Sequence, residues 1–239
     1  MFPLYEKLFS AARMSRYLAV ALTSPDLAVQ LYEANLRLSQ ALYSPLAILE
    51  VALRNQLSAA LAAHFQQADW LIAQQAGSGF MRDRRFQYRS AKTGKVVVND
   101  FLLRSVQSAE KKIPGQPTQN ALLAELMFGF WTEMFDKTPF KILQGVPLNV
   151  FVNKPAAVNR VDIFNRLTAV RKLRNRVYHY EPICLQQHTA CLNDVRVVHR
   201  EIIELCTWLS PDLPDVVGRL DRFESTCQTI CQELPFITP

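Results

Sequence analysis

Glycine and cysteine are scarce in this chain, and their scarcity excludes several protein classes. Seven glycines and 13 prolines in 239 residues are too few for a linker-rich or low-complexity protein, and the sequence has no internal repeat. The five cysteines are an odd number, and Cys227 and Cys231 have no second Cys or His pair at zinc-binding spacing. We therefore expect reduced thiols, no metal site and a cytoplasmic location.

Long uncharged stretches are also missing. No window of 18 residues is apolar without a charge, and the first 22 residues carry an early acidic residue and no small-residue cleavage site. We therefore expect no membrane span and no secretory leader. With 49% hydrophobic and 20% charged residues, the composition is typical of a compact globular protein, and we expect a single domain over residues 1–239.

The charge is concentrated in one segment. The whole chain carries a net charge of +6, and residues 82–112 alone hold nine basic and three acidic residues. Aromatic and valine runs on either side of a Thr93-Gly94 turn predict a small basic hairpin inserted at 82–98. Cations and exposed aromatic rings suit RNA, whereas a solvated loop is the alternative. The RNA-binding candidates here are Arg84, Arg85, Arg89, Lys92 and Lys95.

Elsewhere the apolar spacing is helical. Ser24-Pro25 and Ser44-Pro45 each have the form of an N-cap followed by proline at the first helical position, so they predict two helices, antiparallel neighbours in the fold. Apolar periodicity predicts the other helices at about 99–112, 118–135, 155–180, 188–209 and 213–234. The fold class is therefore predicted to be all-α, a helical bundle with one small basic β-hairpin.

The stretch "RNRVYHYEPI", residues 174–183, places unusual chemistry at a helix end. Helical spacing puts Arg171, Asn175 and His179 in one stripe, with Arg174 at its border, and Pro182 should end the helix near residue 180 or 181. RNA cleavage by the 2′-hydroxyl needs proton transfer and a fixed positive charge on the phosphate. An imidazole, a planar guanidinium and an amide supply these functions without a cofactor.

The spacing by itself does not settle the function. Arg-x4-His is a short pattern, and a basic helix C-terminus that complements the helix dipole has the same composition. We also find no HExxH motif and no cluster of carboxylates of the two-metal type. The surrounding segments add the information that the spacing lacks.

"LRNRVYHYEPI" resembles the signature of the HEPN superfamily, in the form with Glu-Pro after the histidine that is typical of its Abi-like (abortive infection) branch. Two upstream segments are also similar to that branch. "SPLAILEVALRNQLSAAL" carries the Glu50, Arg54 and Asn55 run, and "LLAELMFGFWTEMF" carries an FG-x-W pattern whose aromatic residues are otherwise read as core. The resemblance extends from about residue 28 to residue 209.

The resemblance implies an HEPN-type helical bundle and a metal-independent endoribonuclease of the phage-defence or toxin type. It implies a homodimer whose composite site uses Arg174, Asn175 and His179 of both copies, supported by Glu50, Arg54 and Asn55. RNA is the expected partner, with Arg171, Arg176 and Tyr178 as further contacts, and a cognate antitoxin protein is a possible one. Membrane binding is not expected.

Other interpretations stay open at this point. Glu50 and Arg54 are also spaced as a plain intrahelical ion pair, Arg171 and Arg176 as surface charge, and Tyr178 as a packing residue. The chain as a whole fits an HEPN-type ribonuclease, a catalytically inactive HEPN-type RNA-binding or scaffold protein, or a helical DNA-binding protein. Loss of RNA cutting in His179→Ala distinguishes the first from the others.

Overall fold

A computed structural model describes residues 1–186 and 189–238, which form two compact units. Unit 1 contains Met1–Leu49, Ala169–Thr207 and Asp212–Pro239, and unit 2 contains Glu50–Thr168 and Trp208–Pro211. The described residues are mostly helical with very little strand, which confirms the predicted all-α character. The prediction of a single domain over 1–239 stays a prediction.

The described residues form twelve α-helices, three short 3₁₀ segments and two small hairpins. The α-helices are α1 Phe2–Phe9, α2 Ala11–Val20, α3 Pro25–Phe65, α4 Trp70–Ala73, α5 Phe101–Glu110, α6 Gln119–Glu125, α7 Phe128–Glu133, α8 Lys137–Ile142, α9 Arg160–Tyr178, α10 Asn193–Leu209, α11 Leu213–Leu220 and α12 Phe223–Glu233. The 3₁₀ segments are Phe80–Arg82, Arg84–Phe86 and Val146–Val150. The strands β1 Gln87–Arg89 and β2 Val96–Val98 pair antiparallel, as do β3 Leu185–Gln186 and β4 Thr189–Ala190.

The prediction of two helices separated at Ser44-Pro45 is wrong, because α3 runs through Pro45 without a break. The buried leucines on either side of the proline keep one helical register, with Leu42, Leu46 and Leu49 all within it. A proline inside a helix costs about 3 kcal/mol, whereas each fully buried leucine contributes about 1.5–3 kcal/mol. The continuous apolar face therefore outweighs the local signal for a helix start.

Helix α3 also meets the length and hydropathy criterion for a membrane span, with a mean hydropathy of 1.3 in its most apolar window. Among the described residues it is the one helix that does so. The core helix of a globular protein meets the same criterion.

Two of the longer predicted helices are each divided in two. The predicted helix 118–135 is interrupted where Leu126 and Met127 are extended, so α6 and α7 replace it. The predicted helix 213–234 is interrupted at Asp221 and Arg222, where Asp221 is extended and its Oδ1 accepts the Phe223 backbone N–H at 2.9 Å in an Asx turn before α12. A side-chain to backbone hydrogen bond of this kind is local, and apolar periodicity does not reveal it. The predicted start of α10 at His188 lies outside the described residues.

Unit 1 buries apolar faces of α2, α12 and most of α10, of the first part of α3 and of the last part of α9. Its core includes one buried histidine, since His199 Nε2 lies 2.7 Å from Asp221 Oδ2 and its ring stacks on Phe223 at 4.4 Å. His199 is therefore a packing residue that links α10 to the start of α12. The helix α9 has the predicted apolar face, made of Ile163 and Leu167 in unit 2 and of Val170, Leu173 and Val177 in unit 1.

Unit 2 has an aromatic core beneath the basic hairpin. Trp70 and Trp131 meet edge to face at 6.5 Å, and the Trp70 Nε1–H donates to Ser58 Oγ at 3.2 Å. Phe80 contacts both Trp70 and Phe86, and Phe86 is only 4% exposed. Phe86 thus anchors the hairpin to the core of its unit, so it is not an exposed ring for stacking as the sequence suggested.

Candidate functional site

The motif helix α9 ends in a Schellman motif, close to the predicted position. The Tyr180 N–H donates to the Val177 carbonyl at 3.1 Å, and the Glu181 N–H donates to the Arg176 carbonyl at 2.9 Å. Tyr180 takes the left-handed conformation, with φ of 55°, that this cap requires. His179 is therefore the last residue before the chain turns, and its side chain is exposed.

Buried Asn35 of α3 holds the segment that follows the motif. Its Oδ1 accepts the Ile183 N–H at 2.6 Å and the Cys184 N–H at 3.3 Å, and its Nδ2 donates to the Glu181 carbonyl at 3.3 Å. Asn35 is 1% exposed. Because an amide offers both a donor and an acceptor, one side chain satisfies three backbone groups of an irregular segment. Sequence reasoning missed Asn35, although an asparagine on an otherwise apolar helix face was a usable signal.

Two arginines complete this cap. Arg13 of α2 donates to the Tyr180 carbonyl at 2.9 Å, and Arg176 donates to the Pro182 carbonyl. Arg176 also lies 3.7 Å from the Glu181 carboxylate. Arg176 is thus a capping residue of its own helix, which is a structural role beside the RNA contact expected for it.

The predicted stripe on α9 is partly solvent-facing. Asn175 and His179 are exposed, and Arg171 and Arg174 are half-buried. The Arg174 guanidinium lies over the Tyr178 ring, 4.2 Å from its centre, one helical turn along. A cation over an aromatic face is held in a defined plane, so Tyr178 orients Arg174. The structure therefore brings an oriented guanidinium, an amide and an exposed imidazole to one helix end.

Tyr43 of α3 belongs to the same surface. Its ring centre lies 6.4 Å from that of Tyr178, with the planes tilted by 33°. The sequence does not indicate Tyr43 as a site residue. No motif surrounds it, and only the packing of α3 against α9 within unit 1 reveals it.

The predicted supporting residues Glu50, Arg54 and Asn55 all belong to unit 2. They lie on consecutive turns of α3, where Glu50 and Arg54 are half-buried and Asn55 is exposed. The Arg54 Nε is buried without a hydrogen-bond partner in the described part of the chain. Their supporting role stays a prediction.

The basic residues of the hairpin differ in whether they make an ion pair within the hairpin. The five predicted RNA contacts at 84–95 are exposed, and so is Tyr88 between them. Arg85, however, makes two hydrogen bonds to the Asp83 carboxylate, at 2.9 Å and 2.7 Å. These bonds lower the pKa of Asp83 to about 2. Arg85 therefore stabilises the base of the hairpin, and Arg84, Arg89, Lys92 and Lys95 present its charge to solvent.

The cysteines are thiols, and most of them are inside the protein. All five are free, and Cys231 alone is not buried. Burial raises the pKa of the Cys184, Cys206 and Cys227 thiols to about 12. Within residues 1–186 and 189–238, no group of three or more His, Cys, Asp or Glu side chains is arranged to hold a metal ion.

The thiol arrangement predicts selective labelling. Because the thiolate is the reactive form, Ellman's reagent at pH 8 should react rapidly with Cys231 and slowly with the four buried thiols. After denaturation in guanidinium chloride, all five should react at one common rate. Rapid reaction of three or more thiols in the native protein would contradict this burial pattern.

Tyr17 lies on α2 one helical turn after the capping residue Arg13, and it has no chemical role at this surface. Tyr17 of α2 is buried, and burial raises the pKa of its hydroxyl far above the ordinary value. It packs edge to face against Tyr32 at 5.3 Å. Tyr17 therefore serves as core in unit 1.

Comparison with protein-family models, with curated proteins and with solved structures found no match to this chain.

Proposed function

We propose that the chain is a metal-independent endoribonuclease of the phage-defence or toxin type, with Arg174, Asn175 and His179 as its site. The observation that supports this best is the end of α9, where Tyr178 orients the Arg174 guanidinium and the exposed His179 follows directly. A planar guanidinium fits two oxygens of a phosphate, and an imidazole exchanges protons near neutral pH. The resemblance to the Abi-like branch of the HEPN superfamily agrees with this chemistry.

The reaction follows from these groups. The 2′-oxygen of the RNA forms a bond to phosphorus as the bond from phosphorus to the 5′-oxygen breaks. One imidazole removes the proton of the 2′-hydroxyl, and a second donates a proton to the leaving 5′-oxygen, giving a 2′,3′-cyclic phosphate and a 5′-hydroxyl. Arg174 stabilises the negative charge that develops on the phosphorane oxygens, and Asn175 positions the reacting groups.

The two imidazoles require two chains. The motif of one copy supplies a single histidine, so we propose that a homodimer places two copies of His179 around one scissile phosphate. The exposed cations of the hairpin, and Arg171 beside the site, are proposed to hold the RNA backbone. An antitoxin protein that covers this surface would keep such an enzyme inactive in its host.

Incubation with RNA in a chelator tests the activity. We expect the purified protein to cut total RNA in excess EDTA, to leave 2′,3′-cyclic phosphate ends, and to have the mass of a dimer by light scattering. Arg174→Ala, purified identically, controls for a contaminating nuclease and should cut far more slowly. Products with 3′-hydroxyl ends, or equal cutting by both preparations, would contradict the assignment.

A catalytically inactive RNA-binding protein is the second candidate. It is favoured by one observation, which is that no side chain in the described part of the chain hydrogen-bonds the His179 imidazole to fix its tautomer. In this case Arg174→Ala would weaken RNA binding and no preparation would cut RNA. Binding of duplex DNA that is lost when the hairpin cations are replaced, and unchanged in His179→Ala, would instead indicate the DNA-binding alternative.

A further inference from the structure

A groove in unit 1 lies beside the proposed site and takes no part in the reaction described above. It has a volume of about 510 Å³ and is formed by α3 and the end of α9. Its lining residues are Leu36, Ser39, Gln40, Tyr43, Val177, Tyr178 and Tyr180. Three of the seven are tyrosines, so the groove has aromatic walls with two polar groups at its edge.

The three tyrosine side chains of the groove are open to solvent. Tyr43, Tyr178 and Tyr180 are 58%, 41% and 64% exposed. The 6.4 Å separation of the Tyr43 and Tyr178 ring centres is at the long end of the range for aromatic pairs, so Tyr43 keeps an uncovered face. The contacts within unit 1 therefore leave a large part of these three side chains uncovered.

Tyr180 adds a second indication. Its φ of 55° is a conformation that glycine adopts at little cost and other residues adopt at a cost of about 1 kcal/mol. The cap uses only the backbone groups of Tyr180, namely its N–H and its carbonyl. Since glycine would serve the cap better, the exposed ring points to a role outside the fold.

A positive charge beside the groove indicates what kind of molecule the groove binds. The Arg174 guanidinium covers one face of Tyr178, so a cation suited to phosphate stands directly beside the aromatic groove. Aromatic rings stack on nucleobases of any sequence, while Gln40 offers both a donor and an acceptor to the edge of a base. In one nucleotide the ribose joins a phosphate to a base, which matches a phosphate-binding cation beside an aromatic groove.

We propose that the groove of Tyr43, Tyr178 and Tyr180 holds an unpaired nucleobase next to the phosphate bound by Arg174. This inference rests on the proposed function for the presence of RNA at the site, and it adds the substrate class. A base paired within a duplex cannot enter the groove, so the substrate is single-stranded RNA or an unpaired loop. Tyr43 is then a specificity-determining residue rather than a catalytic one.

Binding measured without cutting tests the groove. The His179→Ala protein is titrated into a fluorescent 12-nucleotide single-stranded RNA and into a duplex of the same strand, and anisotropy is recorded. We expect clear preference for the single strand, and about tenfold weaker single-strand binding when Tyr43→Ala is added. Tyr43→Phe keeps the ring and should bind normally, as should Val51→Ala, which removes an exposed apolar side chain elsewhere on α3.

Photo-crosslinking locates the base. RNA containing 4-thiouridine should crosslink to a peptide that includes Tyr43 or Tyr178, and Tyr43→Ala should reduce the yield at that peptide. If the unsubstituted protein cuts RNA but Tyr43→Ala leaves strand preference, affinity and crosslinks unchanged, the groove proposal is overturned and the ribonuclease proposal stands. If the unsubstituted protein neither binds nor cuts RNA, both are overturned.

Discussion

His179→Ala should lower the rate of RNA cutting by about 10²- to 10⁴-fold, the range that general acid–base catalysis contributes. The side chain is exposed and makes no hydrogen bond within the described residues, so its removal should leave the fold intact. The free energy of unfolding should change by no more than about 0.5 kcal/mol. Single-turnover cleavage of a labelled RNA, alongside urea denaturation, measures both quantities.

A matched histidine provides the control. His64 lies on α3, is half-buried and has no motif around it, so His64→Ala should cut RNA at the normal rate. Arg174→Lys keeps the charge but loses the planar group that lies on Tyr178, and it should therefore cut slowly as well. Undiminished cutting by His179→Ala would show that the imidazole is not the proton-transfer group.

The proposed two-chain site has its own signature in a mixed dimer. If one imidazole from each copy acts on the same phosphate, a heterodimer of normal and His179→Ala chains lacks one of them. Equal co-expression of the two chains should then leave about one quarter of the activity, because random pairing makes only that share of fully normal dimers. A residual activity of about one half would indicate that each chain acts alone.

The elements predicted from the sequence were those with a strong period and a clear boundary. The apolar face of α9 and its end near Pro182 follow from spacing and from the restriction that proline places on the preceding residue. The hairpin follows from valine and aromatic runs around Thr93-Gly94, and it forms as β1 and β2. These signals are local, so the sequence contains them in full.

The features that escaped prediction depend on contacts between distant residues. Pro45 has the local pattern of a helix start, yet burial on both sides of it keeps α3 continuous. Tyr43 joins the end of α9 only through packing, since 135 positions separate it from Tyr178 in the chain. The sequence pattern predicts neither α1 nor α2, although Arg13 of α2 caps the motif.

Asn35→Ala should cost about 3 kcal/mol of unfolding free energy, the largest stability effect that we expect from a single polar residue here. The backbone N–H groups of Ile183 and Cys184 are buried and share Asn35 Oδ1 as their acceptor. Leaving a buried N–H without an acceptor costs about 1–3 kcal/mol, and the Glu181 carbonyl loses a donor as well. Urea denaturation of the two proteins measures the lost free energy of unfolding, from the shift in midpoint at a common m-value.

Ser39→Ala is the matched control, because Ser39 lies one turn further along α3 and its hydroxyl donates only to the Asn35 carbonyl, at 2.9 Å. The Asn35 carbonyl is also part of the backbone of α3, so the loss of unfolding free energy in Ser39→Ala should stay below about 1 kcal/mol. The segment held by Asn35 directly follows the Schellman cap, so its release should also loosen Tyr180 and raise hydrogen exchange at the end of α9. If Asn35→Ala is no less stable than Ser39→Ala, the buried amide does not hold the end of the motif helix, and the orientation of His179 must depend on other contacts.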